Sequence, residues 1–488
     1  MLAGTLDHQA APADWARSQF QEAKLGHSTR RQRVMTIAGA MAEQPGRTIP
    51  ELFTRKYDID AAYTLFDRPE ATPDAIQCGH RALVKVELRQ PGRYLLIEDT
   101  TYLSFTHRAQ PVPGLGPIGV SDQGQGFLLH SVLAVRAPQS PQPDATGRRG
   151  PVEVLGLVDQ QYLIRRSRPE GEPNDASQQR KLRDRESQRW PAATARIGPA
   201  PADEAVRWVR VADREADIYE YLISCREQNH SFVVRLSQDR VVLDPVDDEP
   251  LGLVRASIRG TEAAGGLSLE LRSRPGEAAR RAKLLISFGA VRLRAPQRPG
   301  QAAGTNDPID CWFVRAWEVE APAGVEALEW VLYTDRPITT LEDALGAVLD
   351  YGTRYLIEEF HKGLKTGLKA EQLQLETAPR LFAAIAVMSI VALRLLDIRE
   401  LGRRCPEAPA ACVGLSGAEL EILSLAVGRV LTTVAEVLLA IGRLGGHMNR
   451  RSDGMPGWIT LWRGMEKLRL MVKGAQLAQK RTSKPPHL

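Results

Sequence analysis

The sequence predicts a multidomain α/β protein: a mixed sheet in the middle of the chain, interrupted by a β-rich insertion, with helical domains at both ends. Three observations lead there. The 488 residues are too many for one ordinary domain and enough for about three. The apolar spacing is helical before residue 75 and again after 340, and between them it changes to short apolar runs of strand type. The composition, 43% hydrophobic and 25% charged, is that of a chain able to bury a core.

From the N-terminus, Asp14 can cap a helix with Ala16, Phe20 and Ala23 on one stripe and Gly26 at its end. Val34, Ile37, Ala38 and Met41 then fall at i, i+3, i+4 and i+7, the stripe of a second helix whose first turn holds Arg30, Arg31 and Arg33. A third helix over Asp60 to Phe66 completes a small bundle over residues 1–75. Arginines at helix starts suit phosphate contact, and a solvated basic face is the plain alternative. The net charge of +5 permits an anionic partner without requiring one.

The middle region, residues 76–376, reads as strands at Tyr94–Ile97, His130–Val135 and Val152–Val158, a helix over Gln178–Thr194, a strand at Val206–Ala212, a helix over Glu215–Cys225 and a strand at Phe232–Arg235. Three strands, helix, strand, helix, strand is the succession of a ribonuclease-H-like sheet, with one acid after the first strand and another after the fourth. Leu243 to about Leu328 breaks the pattern with short runs (Leu267–Leu271, Ala282–Phe288, Val291–Leu293, Trp312–Val319) and reads as the insertion. Residues 377–488 carry apolar stretches at Leu381–Leu396, Leu420–Leu444 and Trp458–Met471, followed by a loose Pro-rich tail from Lys480.

Five cysteines without a CxxC pair speak against a disulfide framework or a structural zinc site. The charged first thirty residues, and the interruption of Leu381–Leu393 by Arg394, lead to the expectation of a soluble cytoplasmic protein with no membrane partner.

Three acids are candidates for chemistry: Asp99, Asp213 and Glu358. Hard divalent cations working in pairs take oxygen ligands, and gaps of 114 and 145 residues mean that only the fold can gather these three. An acid that ends a strand is otherwise a cap or turn residue. Tyr351, Arg354, Glu358 and Lys365 are offset by 0, 3, 7 and 14. On a regular helix they fall at roughly 0°, −60°, −20° and −40°, while Glu359 lies about 100° away from Glu358. A face with a phenol, a guanidinium, an ammonium and a carboxylate suits a phosphate backbone and a metal together; a row of solvated ion pairs is the alternative. His130 fits a packed strand histidine, His361 sits about 60° from Glu358 on the same wheel, and Gly114–Gly119 with Pro117 is a turn.

The blocks LLIEDTTYLSF (Leu95–Phe105), ADREADIY (Ala212–Tyr219) and YGTRYLIEEFHKGLK (Tyr351–Lys365) closely resemble the three acidic blocks of bacterial cut-and-paste DDE transposases of the IS-four type, the group with a Y-R-E-K signature. The likeness extends to Trp15–Ser18, Asp184–Trp190, Ile441–Gly446 and Trp458. It implies a metal triad of Asp99, Asp213 and Glu358 holding two Mg²⁺ ions, with Mn²⁺ as a substitute, and a DNA grip formed by Tyr351, Arg354 and Lys365. It also implies that Trp330 stacks a flipped base and that Arg30 and Arg33 contact the terminal repeats. Thr64, where a relative has a DNA-contacting arginine, and the absence of a Lys-rich stretch around Glu419–Leu425 bear on which sequence is recognised. The partners implied are double-stranded DNA, as inverted-repeat ends and target, and a second copy of the chain. A metal-dependent nuclease of the same fold, or a silent DNA-binding regulator, are the alternatives.

Overall fold

The computed structural model describes residues 10–119, 124–138, 143, 146–147, 149–165, 186–271, 279–296, 307–450 and 454–482. The first helices are α1 (Pro12–Phe20), α2 (Ser28–Glu43), α3 (Ile49–Leu52), α4 (Lys56–Phe66) and α5 (Pro73–Glu87). Asp14 is not the cap of α1: proline starts that helix after Ala11, and Asp14 lies in its first turn, where its charge still complements the helix dipole. In α2 the stripe Val34, Ile37, Ala38 and Met41 is buried as its spacing requires.

Strand β1 (Gly92–Ser104) is followed by β2 (Gly116–Ile118), β3 (Gly124–Ala137) and β4 (Glu153–Leu163), then α6 (Arg189–Ile197), β5 (Val206–Ala212), α7 (Tyr219–Glu227) and β6 (Ser231–Arg235). The helix expected from Gln178 is described only from a 3₁₀ turn at Glu186 onward; residues 178–185 lie outside the described residues. Residues 116–118 of the expected glycine turn form an edge strand against β3. Strand β1 is far longer than its apolar run, because pairing with β3 carries it through Asp99 to Ser104.

Next come β7 (Val241–Leu243), β8 (Pro250–Leu253), α8 (Val254–Arg259), β9 (Gly265–Leu271), β10 (Arg280–Leu293) and β11 (Ile309–Val319) in and at the edge of the insertion, and β12 (Glu329–Thr334) just past it. Two runs read separately, Ala282–Phe288 and Val291–Leu293, are one strand passing through Gly289. There, an added Cβ would stand 3.0 Å from the ring of the cross-strand Phe313. These strands do not fold apart from the core. β12 pairs with β6, and the described strands form one mixed sheet in the order β2-β3-β1-β5-β6-β12-β11-β10-β7-β8, with β4 on β3 and β9 on β10. β5 runs parallel to β1 on one side and to β6 on the other; β3 runs antiparallel to β1, and β4 antiparallel to β3.

The last helices are α9 (Leu341–Gly352), α10 (Tyr355–Lys362), α11 (Ala378–Arg404), α12 (Gly417–Val427), α13 (Val434–Leu444) and α14 (Trp458–Thr482). Gly428, at φ +72°, takes the left-handed cap that separates α12 from α13. Lys480–Thr482 belongs to α14 rather than to a loose tail. Helix α11 has 27 residues, not the thirteen counted from its apolar run, and among the described residues it is the one helix long and apolar enough to cross a membrane. It is a core helix: 83% of its apolar window is buried. Leu381, Ile385 and Leu393 share one cluster with Trp15 and Phe20 of α1 and with Leu95 and Ile97 of β1. The result is a mixed α/β molecule with helices at both ends of a central sheet.

Candidate functional site

Parallel pairing sets the first two acids side by side. The β1–β5 register joins Ile97 to Val211, an offset of 114 residues that equals the spacing of Asp99 and Asp213. Extended two residues, it brings these two acids level on neighbouring strands, which run about 4.8 Å apart. Asp213 is the first residue past β5; its side chain caps the following 3₁₀ turn by accepting from the Glu215 amide at 2.9 Å.

The helical region is fastened to β1 on the face that carries Asp99. Asp350, buried in α9, accepts from Arg93 Nη1 at 2.8 Å, six residues before Asp99 on β1, and also from Arg149. This anchor sets where the chain re-enters as α10. Arg354 stands at the break between α9 and α10, and its guanidinium donates to Asp99 Oδ2 at 3.0 Å and to Glu358 on the next turn. Asp99 and Glu358, remote in sequence, thus face one another across a single positive group. Glu359 points away to Arg399, 3.3 Å distant, as the wheel required.

Burial raises the pKa of Asp99 to about 6; the Asp213 charge adds to this, and Arg354 opposes it. A carboxyl whose folded-state pKa lies above its unfolded value binds its proton more tightly in the fold. The stability this gives is present below about pH 4 and is lost as pH rises to about 6. Replacing Asp99 with Asn, which cannot ionise, is therefore expected to stabilise the protein at pH 7.5 by on the order of 1–3 kcal/mol. Chemical denaturation of both forms checks this; an unchanged or lower stability of Asp99→Asn would refute it.

A cleft of about 350 Å³ opens beside these groups, with Asp99, Glu358, His361, Lys362, Lys365 and Glu371 among its walls. Lys365 lies in a π-helical turn, Gly363–Gly367, and donates to the Tyr102 carbonyl at 2.8 Å. His361 is 5% exposed, its Nε2 has no partner among the described residues, and burial pushes its pKa down to about 3. Under the sheet, the neighbour of Asp99 faces the other way: Glu98, fully buried, accepts from Arg210 Nε at 2.9 Å and from Tyr221, with His130 Nε2 3.4 Å away. Burial lowers the pKa of His130, whose ring stacks edge-on against Trp190. It is the packed strand histidine. Arg189 ties the layers together, donating to Thr100 Oγ1 at 2.8 Å and to Glu215.

The expected row of Tyr351, Arg354, Glu358 and Lys365 is not one regular helical face. The break after Gly352 and the π turn both change the phase. Tyr351 is turned inward, 6% exposed in the main core and edge-on to Trp330 at 5.4 Å. Trp330 is half-buried on β12, opposite Ala316. In α2, Arg30 pairs with Glu70 at 2.9 Å; Arg33 pairs with Asp58 at 2.9 Å and covers the Tyr57 ring. Among the described residues, no three His, Cys, Asp or Glu side chains are grouped closely enough to hold a metal ion. Sequence reasoning did not single out Glu371 or Arg210, because neither has a local pattern around it.

Comparison with protein families adds a finding at each end of the chain. Residues 12–71 match the transposase DNA-binding family, and residues 390–484 match the Tn5 transposase dimerisation domain. The first spans α1 to α4, and the second runs from within α11 through α14. Flanking the central sheet and its acidic cleft, the two matches support a Tn5-like transposase with a DNA-binding module at one end and a dimerisation module at the other.

Proposed function

We propose that the chain is a DDE transposase of the IS-four type that cuts a DNA element out at its ends and joins it to a target. In this reading residues 1–75 bind the inverted-repeat ends, and residues 76–376 form a ribonuclease-H-like catalytic domain with an insertion over 243–328. Residues 377–488 then pair two protomers on two ends. The strand order β4-β3-β1-β5-β6 supports it, since it places an acid on the central strand and another at the end of its parallel neighbour. The observation that carries it is Arg354, held between Asp99 and Glu358.

The donors suit hard cations. Asp99, Asp213 and Glu358 offer carboxylate oxygens, and the guanidinium of Arg354 already supplies positive charge between two of them. In the described conformation the three are not grouped closely enough for this, with Arg354 standing between two of them; drawn together, with Arg354 moved aside, they would hold two Mg²⁺ ions, or Mn²⁺ in their place, which when bound supply an activated water and charge for the leaving oxygen. Arg354 and Lys365 hold the phosphate in line, with the Tyr351 ring packed behind them. Trp330 takes a base turned out of the duplex. Arg30 and Arg33 contact the ends, where phosphates must displace Glu70 and Asp58 from them. The 3′-hydroxyl freed by the first nick attacks the opposite strand to give a hairpin, which is reopened and joined to target DNA.

Incubating the protein and Mg²⁺ with DNA carrying the inverted repeats that flank its own coding region tests this, with hairpin-ended products expected. Unspecific nicks alone would favour a nuclease, and binding without cleavage a silent regulator; either outcome overturns the proposal.

A further inference from the structure

We propose that Glu371 positions Lys365 and sets how strongly the cleft attracts a DNA phosphate; this rests on the transposase reading above. The Lys365 ammonium stands 3.3 Å from Glu371 Oε1. The same oxygen accepts from the Ser104 amide at 2.8 Å. One carboxylate thereby ties the end of β1, the strand that carries Asp99, to the π turn that carries Lys365. Glu371 is held in place by its own turn, Ala370–Gln372, which follows Lys369 at φ +57°.

The electrostatic consequence follows from the walls of the cleft. Asp99, Glu358 and Glu371 line it together with Lys362 and Lys365. A phosphate entering there must take Lys365 from Glu371. The side chains of that pair are 31% and 27% exposed, so water weakens their attraction and a phosphate can replace the carboxylate. Glu371 keeps the ammonium aimed while DNA is absent and lowers its pull on non-cognate backbone.

The test uses the full-length protein and a 30-base-pair duplex, with affinity measured against salt. Glu371→Gln retains an oxygen for the Ser104 amide and removes the charge. It is expected to bind several-fold tighter at low salt, with a slope of log K against log salt steeper by about 0.9, the value of one phosphate contact. In a Lys365→Ala background the same substitution should leave the slope unchanged. A slope unaltered by Glu371→Gln, or a change that persists without Lys365, overturns the assignment while leaving the transposase reading intact. Wild-type protein that binds no duplex overturns both. A measurement on the wild type alone guards against a misfolded variant: Lys365 should be acetylated by an amine-reactive ester several-fold more slowly than the exposed Lys362, and equal rates would refute the clamp.

Discussion

Glu358→Ala is expected to lower DNA cleavage by at least about a thousandfold, a barrier increase of about 4 kcal/mol, while end binding persists. Glu358 is exposed to the cleft and shares Arg354 with Asp99, so its removal withdraws one of the oxygen donors on which two-cation chemistry depends. Binding should survive, because Arg30 and Arg33 lie on α2 and not among the walls of the cleft, and Arg354 retains Asp99 as a partner. The neighbouring glutamate is the control. Glu359 is engaged with Arg399 on the far side and is not among the walls of the cleft, so Glu359→Ala should cleave within about threefold of wild type. Single-turnover cleavage and gel-shift assays on the three proteins decide it: near-normal cleavage by Glu358→Ala would remove that residue from the site.

The largest expected effect on stability lies under the sheet. Glu98 and Arg210 are both 0% exposed, and Tyr221 donates to the same carboxylate. Glu98→Ala would strand the Arg210 guanidinium in the interior, at a cost of roughly 3–5 kcal/mol. Glu98→Gln should cost less, because its amide oxygen still accepts from Arg210 and Tyr221. Urea unfolding of the two variants against wild type measures both; a loss under about 1 kcal/mol for Glu98→Ala would mean that the pair carries little of the fold. The substitution also bears on the site, since Glu98 and Arg210 join β1 to β5, the strands whose register sets Asp99 level with Asp213.

Some of this arrangement was open to a reader of the chain. The apolar stripe of α2, the strand at Val206–Ala212 and the orientation of Glu359 away from Glu358 follow from periodicity, which depends on the chain's own geometry. The equality between the Asp99–Asp213 spacing and the strand offset was present in the numbers, and it acquired meaning only once β1 and β5 were known to pair. The inward turn of Tyr351 had no local sign. A helix wheel assumes an unbroken helix, whereas here the chain breaks after Gly352 and widens into a π turn at Gly363. Likewise, no local pattern shows that the strands of the β-rich insertion extend the main sheet, through β11 on β12 and β12 on β6.

The residues by themselves determined the kinds of element, the acids available for chemistry and the helix face that chooses Glu358, because those depend on neighbours within a few turns or strand steps. Tertiary structure alone decided that Asp99 and Glu358 meet at Arg354, that Glu98 is neutralised by Arg210, and that Glu371 reaches Lys365 and Ser104 at once. Each of these joins depends on packing between elements brought together from distant parts of the chain, and no local periodicity encodes such a distance.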